Sequence, residues 1–147
     1  MIAFKPMTEA FEWNWLTERA MQKRMSDSQG IVCYDDESNE IKAMCVLDTF
    51  TRDACNAHIA IDSPIVIRRG FLHQIVGHIF NTLDRSRFFA FVSGDNSKSL
   101  KFCTHFGMLE VARIPHGTRQ GVDCVVLGMD RQQCAKWLNK EQKQEAA

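Results

Sequence analysis

The middle of the sequence carries its strongest periodic pattern, a set of apolar residues spaced three and four apart over residues 69–83. That spacing places one continuous apolar stripe on an α-helix, so it predicts a helix that faces the core. The members of the stripe are Leu72, Ile75, Val76, Ile79, Phe80 and Leu83. Residues 55–62 alternate before this helix and the apolar run 87–92 follows it, which predicts a strand on each side. A strand, a helix and a strand in succession form a right-handed crossover between parallel strands.

The segments before this unit predict an early strand, a helix and a hairpin. The strand is predicted at residues 2–4, and the helix begins after Pro6 and Thr8. The apolar stripe of that helix is Phe11, Trp15, Leu16 and Ala20. Residues 31–34 and 41–47 flank an acidic turn and predict an antiparallel hairpin. The second of these strands is apolar on both faces and is therefore predicted to be central.

The segments after the central helix predict a covered strand, a second helix and a closing strand pair. The run 87–92 is apolar throughout, as in a strand that is covered on both faces. A helix is predicted over residues 97–106, with Gly107 as its left-handed cap. Two strands, 108–114 and 122–129, are predicted to be joined by a long loop.

Together these elements predict the fold class α/β. The sheet is expected to be mixed, mostly antiparallel and twisted, with helices on its faces and a central β-α-β crossover. Residues 1–130 are predicted to form a single domain, and residues 131–147 a short helix that passes into a charged tail.

The charge balance argues against a polyanionic partner. Eighteen Lys and Arg residues are matched by eighteen Asp and Glu residues, so no net field attracts nucleic acid or a membrane surface. The first residues lack the layout of a signal peptide, and no apolar run approaches the roughly 20 residues that cross a bilayer. A cytoplasmic location is therefore expected.

The six cysteines contain no C-x-x-C pair and lie mostly inside apolar strand or helix patterns. They are predicted to be reduced and buried. Cys55 and His58 have a C-x-x-H spacing that can chelate zinc, but no second pair of close ligands accompanies them. No metal is predicted.

Residues 94–108 resemble the C-terminal motif of the GNAT superfamily of N-acetyltransferases. In that motif an asparagine is followed by a small residue, a tyrosine, and then a glycine with an aromatic residue. The matching residues are Asn96, Ser99 and Gly107. Cys103 stands in the place of the tyrosine, and Met108 in the place of the aromatic residue. The predicted order of elements also resembles GNAT topology over residues 2–129.

Residues 58–80 and 129–138 resemble a set of short GNAT-like proteins that phages and prophages encode. The two resemblances imply different functions. One is an acetyl-CoA-dependent N-acyltransferase whose acceptor is a small-molecule or protein amine. The other is a non-catalytic GNAT-like phage protein that acts in virion assembly or as an internal virion component binding a protein partner. A phage protein would be found in the host cytoplasm or the virion.

In GNAT enzymes, backbone N–H groups of a glycine-rich loop hold the CoA pyrophosphate where a helix begins. The corresponding loop here is residues 63–69, and of the glycine pattern only Gly70 remains. Arg68 and Arg69 either replace the missing amide contacts with charge-assisted bonds to phosphate or are solvated residues beside a helix start. Gly70 keeps the helix entrance open in the first interpretation and serves packing in the second. The resemblance adds Asn96 to the cofactor-binding residues.

The resemblance also implies catalytic residues. His58 is the candidate general base, because imidazole titrates near neutral pH, and Asn56 lies on the same face of its strand beside the expected acyl group. Cys103 is the candidate proton donor to the leaving thiolate. Alternatively, His58 is a hydrogen-bonded structural residue and Cys103 a small apolar one. Residues at strand ends or in the closing loop are either acceptor-binding or ordinary polar residues: Asp48, Asp53, His116 and Arg119.

Overall fold

The computed structural model describes residues 1–20 and 23–138, and within them seven strands form one sheet in the order β1-β2-β3-β4-β5-β7-β6. The strands are β1 (Ile2–Pro6), β2 (Gln29–Asp35), β3 (Ile41–Asp48), β4 (Ala54–Ile61), β5 (Arg87–Ser93), β6 (Leu109–Arg119) and β7 (Val122–Asp130). The helices are α1 (Ala10–Ala20), α2 (Ile65–Arg68), α3 (Phe71–Gly77) and α4 (Ser97–Phe106). Only β4 and β5 pair in parallel among these strands. The predicted mixed, mostly antiparallel α/β sheet with a central crossover is confirmed.

The main core lies between one face of the sheet and the helices α3 and α4. The predicted stripe of the central helix is buried there except for Leu83, which is partly buried. Phe71 joins it, stacked on Phe4 of β1 with ring centroids 6.4 Å apart. Each such side chain stabilises the fold by roughly 1.5–3 kcal/mol through burial. Helix α1 packs on the opposite face, where Leu16 contacts residues of β2, β3 and β4. The predicted central position of β3 is confirmed, since all but one of its residues are buried.

The central helix is shorter than the predicted residues 69–83. Regular α-helix spans Phe71–Gly77, and His78–Thr82 continue it as a π-helical turn. Residues Ile65–Arg68 form the separate helix α2, and Gly70 divides the two helices with a φ of 94°. The apolar spacing could not reveal this break, because it reports which side chains are buried and not a left-handed turn at one glycine.

Three further expectations are wrong. Phe11 is 57% exposed, and the buried residues of α1 are Glu12 and Leu16. Strand β5 is covered on one face only, since Phe91 is 48% exposed. The long loop predicted before residue 122 is mostly strand, because β6 extends to Arg119 and a tight turn leads into β7.

The segment after β7 packs against the same core. Cys134 is fully buried, and the indole Nε1 of Trp137 donates to the carbonyl of Phe106 over 3.1 Å. Residues 139–147, predicted to be the end of a charged tail, lie outside the described residues. The domain division at residue 130 stays a prediction. None of the described helices has the length and apolar character needed to cross a membrane.

Candidate functional site

The two parallel strands separate soon after they begin. Strands β4 and β5 pair over three residues, Ala54–Asn56 with Arg87–Phe89, and then run on to Ile61 and Ser93. We call the gap between residues 57–61 and 90–93 the wedge. Backbone N–H and C=O groups on the facing edges of the wedge can pair with a bound molecule as a strand would.

Both crossover helices begin at the open end of the wedge. Helix α3 follows the carboxyl end of β4 and helix α4 follows that of β5, and ligands of α/β sheets commonly bind at this end. In α3 the first N–H group to donate within the helix is that of Gln74, to the carbonyl of Gly70 over 3.0 Å. The N–H groups of Phe71 and Leu72 therefore have no acceptor inside the helix, and the helix dipole makes this end positive.

His58 and Asp48 form a hydrogen-bonded pair on one rim of the wedge. His58 Nε2 lies 3.0 Å from Oδ1 and 3.0 Å from Oδ2 of Asp48, whose side chain is 2% exposed. Asp48 also accepts a hydrogen bond from the hydroxyl of Thr49 over 3.0 Å. Because a carboxylate only accepts, Nε2 of His58 carries the hydrogen and Nδ1 of the neutral ring has the free lone pair. The ring is thus held in the tautomer of a base.

The register of the sheet explains how this pair forms. Asp48 ends β3 directly opposite Asn56 of β4, while His58 lies opposite Val46. Asp48, Asn56 and His58 therefore share the face of the sheet that carries α1. The sequence pattern predicts the shared face of Asn56 and His58. It could not pair His58 with Asp48, because the register depends on the geometry of the turn at residues 49–53.

The loop that leads from β4 to α3 contains a helical turn in place of an open glycine-rich stretch. Its N–H groups bond within the turn: Val66 to Ser63 (3.2 Å), Ile67 to Pro64 (3.2 Å), Arg69 to Ile65 and Val66 (3.2 Å each) and Gly70 to Ile67 (3.4 Å). These donors are occupied while α2 is intact. An anion at this entrance would instead meet the first turn of α3 and the side chains beside it.

Arg68 and Arg69 lie at that entrance, and both are exposed. Arg68 ends α2, and Arg69 is its C-cap. Among the described residues, none apart from its chain neighbours comes within 4 Å of where a Cβ of residue 70 would lie, so the glycine is required by its φ of 94° and not by close packing. The structure thus brings together Arg68, Arg69 and Gly70 at the start of α3.

Asn96 precedes α4 and caps it, and Cys103 lies within α4 and packs in the core. Asn96 is the N-cap, and its Oδ1 accepts a hydrogen bond from the N–H of Ser99 over 3.2 Å. Cys103 is 6% exposed within the main core, and burial raises the pKa of its thiol to about 11. A thiol in this position stays protonated at neutral pH and is a weak proton donor.

A polar cavity of about 260 Å³ lies beside the end of β5. Its lining residues are Gly94, Asp95, Arg113, Gly121, Val122 and Asp123. Asp95 accepts hydrogen bonds from the hydroxyl of Ser93 (2.6 Å) and from Arg119, and these bonds hold the pKa of its carboxyl below the usual 3.8. His116 shapes the neighbouring turn, because its Nδ1 accepts from the N–H of Gly121 over 2.8 Å. Arg119 and His116 thus lie near this cavity.

Two sequence-based candidates lie elsewhere. Asp53 precedes β4, at the end of the sheet opposite the wedge, and its carbonyl accepts from the N–H groups of Ser86 and Arg87. The second candidate is the zinc site of Cys55 and His58. These residues are three apart on β4, so their side chains are on opposite faces and cannot bind one zinc ion. Within residues 1–20 and 23–138, no three His, Cys, Asp or Glu side chains are close enough to hold a metal.

Comparison with known proteins finds likeness in structure but not in sequence. No family model and no curated protein sequence matches the chain. The spermidine/spermine N-acetyltransferase SpeG from Vibrio cholerae superposes with a TM-score of 0.73 at 11% identity, over 95% of this chain and 96% of SpeG. A protein assigned to the GNAT family of acetyltransferases from Desulfovibrio desulfuricans superposes with a TM-score of 0.71 at 13% identity, over 88% of this chain and 99% of that protein.

A third solved structure covers a smaller part. The ribosomal-protein-S5-alanine acetyltransferase from Vibrio fischeri superposes with a TM-score of 0.60 at 16% identity, over 70% of this chain and 61% of the enzyme. At these identities a likeness concerns the backbone alone. The chain has the fold of the GNAT acetyltransferases.

Proposed function

We propose that this chain is an acetyl-CoA-dependent N-acyltransferase of the GNAT type, which moves an acetyl group from CoA to an amine. The observation that carries the proposal is the combination of the open wedge between β4 and β5 with the His58–Asp48 pair on its rim. A base in a fixed tautomer can take the proton of an attacking amine, and the unpaired strand edges beside it can position an extended substrate.

In this proposal His58 is the general base. Its Nδ1 takes a proton from the acceptor ammonium or from the attacking amine, and the buried carboxylate of Asp48 stabilises the imidazolium that forms. The amine nitrogen forms a bond to the acyl carbon, the C–S bond breaks, and the thiolate takes a proton from solvent. Cys103 is not assigned the last step, because its thiol is buried and its pKa is raised to about 11.

Acetyl-CoA supplies the thioester. The residues that would hold its diphosphate are the first turn of α3 and the guanidinium groups of Arg68 and Arg69, since the N–H groups of the preceding turn are occupied. The pantetheine arm would lie along the edge of β4 that faces the wedge. Asn96 would lie beside it at the start of α4 and keep its role as N-cap.

The first test measures the binding of acetyl-CoA by calorimetry and by thermal shift. A ligand at 100 times its Kd raises the unfolding free energy by about 2.7 kcal/mol, so a clear rise in Tm is expected at saturation. Arg69→Ala is expected to weaken binding about tenfold, since a charge-assisted bond to phosphate contributes roughly 1.5–3 kcal/mol. Arg52→Ala, an exposed arginine at the opposite end of β4, is the matched control and should leave the Kd unchanged.

Acceptor amines are then screened by release of the CoA thiol. Spermidine, spermine and a peptide that contains alanine are included because the structural neighbours are named for such substrates. A flat titration at millimolar acetyl-CoA would contradict the enzyme proposal. It would favour the second candidate, a non-catalytic GNAT-like protein, because the N–H groups of the α2 turn are already bonded within the turn. A role of that protein in virion assembly stays a prediction. The resemblance to phage proteins itself stays a prediction.

A further inference from the structure

The last strand of the sheet order, β6, is an open edge. Every residue of Leu109–Arg119 is exposed, including Leu109 at 58%, Val111 at 51% and Ile114 at 46%. An edge strand presents backbone N–H and C=O groups that have no neighbour, and apolar side chains on such a strand favour pairing with another strand. Phe91, 48% exposed on β5, continues the apolar area inward across the sheet.

The register with β7 assigns each side chain of this edge to a face. Leu109 lies opposite Gly128 and Ile114 opposite Cys124, on the face that also carries Phe91. Glu110 lies opposite Leu127 and Arg113 opposite Val125, on the face that carries α3 and α4. Val111 is the extra residue of a bulge between Glu110 and Ala112. The edge is therefore apolar on one face and carries one acid and one base on the other, and these two form an ion pair within the chain, Arg113 Nη2 to Glu110 Oε1 at 2.7 Å.

This order of residues is complementary to itself. With Val111 set aside as the bulged residue, a two-fold axis at Ala112 places Glu110 of one strand opposite Arg113 of an identical antiparallel strand. The same axis places Leu109 opposite Ile114. Opposite residues of an antiparallel pair share a face, so the charged residues meet on one face and the apolar residues on the other.

We propose that β6 is a self-association surface, on which a second copy of this chain adds its own β6 antiparallel about a two-fold axis. Glu110 would pair with the partner's Arg113, Leu109 would pack on the partner's Ile114, and one sheet would continue through both molecules. The surface is isologous, as in most two-fold dimers. It is separate from the wedge and does not depend on the acyltransferase proposal.

Charge reversal tests the pairing, with sedimentation velocity and light scattering of the full chain as readouts. The wild type is expected to have twice the 16.8 kDa mass of one chain at tens of micromolar. Glu110→Arg and Arg113→Glu each place like charges opposite each other and should weaken the dimer at least about tenfold, since like-charge contacts across an interface cost several kcal/mol. The double variant restores opposite charges and should restore the dimer.

A second pair of variants tests the apolar contact. Ile114→Lys should give a monomer, whereas Ile65→Lys, at a residue of α2 with a similar exposure of 45%, should leave the dimer unchanged. Thermal unfolding of each variant verifies that the monomer is folded. A wild-type chain that remains monomeric at tens of micromolar would overturn the proposal, as would a double variant that stays monomeric while Ile114→Lys remains dimeric.

Discussion

Asp48 and His58 show how a single contact changes what a residue can do. Asp48 is almost fully buried, and both of its oxygens face Nε2 of His58 at 3.0 Å. A buried carboxylate needs such partners, because an ionised group without them is costly to remove from water. The contact orients the imidazole ring and leaves Nδ1 as the atom that can take a proton.

Two substitutions test these roles. His58→Gln keeps a polar side chain that can bond to Asp48 but removes the base, so kcat should fall by about 10²–10⁴-fold near pH 7. The fall in kcat should become smaller at high pH, where the amine loses its proton to solvent without a general base. Asp48→Asn should lower kcat less than His58→Gln does and leave the KM for acetyl-CoA unchanged. Equal kcat in wild type and His58→Gln at neutral pH would exclude His58 as the base.

At the scale of elements, the start of α1 depends on a buried acid. Oε1 of Glu12 accepts hydrogen bonds from the N–H groups of Thr8 (2.8 Å) and Glu9 (2.7 Å), which satisfies donors that a helix start leaves open. Oε2 has no hydrogen bond, and Nζ of Lys5 on β1 lies 3.4 Å from it. The ion pair thus joins the first strand to the first helix.

Lys5→Met should destabilise the chain by about 1–3 kcal/mol, because it leaves a buried carboxylate oxygen without its cation. Glu12→Gln in the same chain should recover part of this loss, since the amide retains one acceptor and carries no charge. Urea unfolding of both single variants and the double variant measures the coupling. Additive effects of the two substitutions would show that the pair does not stabilise the fold.

For the molecule as a whole, His78 couples stability to pH. It lines a cavity of about 280 Å³ between β1, β2 and α3 together with Lys5, and its Nε2 lies 3.1 Å from Oε1 of Gln29. Burial lowers the pKa of His78 below the ordinary 6.5. The unfolded chain therefore binds a proton as the pH falls through 6.5, whereas the folded chain binds it only at a lower pH.

The free energy of unfolding should accordingly decrease as the pH is lowered from 7.5 through roughly 6.5 and below, and level off once the folded chain also binds the proton. Urea titrations across this range measure the decrease. His78→Gln removes the titrating group and should flatten this part of the profile. A His78→Gln profile with the same slope as the wild type would assign the pH dependence to other groups.

The molecule also shows which features a single sequence can reveal. The crossover and the order of elements along the chain were predictable, because the stripe from Leu72 to Phe80 and the alternation of β4 follow from burial on one face. The Asp48–His58 pair and the α2 turn were not, since they depend on the register between strands and on the left-handed Gly70. The exposure of Phe91 was also hidden, because an apolar strand has the same composition whether one face or both are covered.

The three-residue ladder between β4 and β5 makes the sheet two panels, four strands on one side and three on the other. Those amide hydrogens of Ala54–Asn56 and Arg87–Phe89 that are directed across the seam should exchange slowly with solvent, while those directed into the wedge exchange faster. A molecule that fills the wedge and bonds to both of its edges would connect the two panels. Binding in the wedge would then reduce the motion of the two panels relative to each other, including strands that do not contact the ligand.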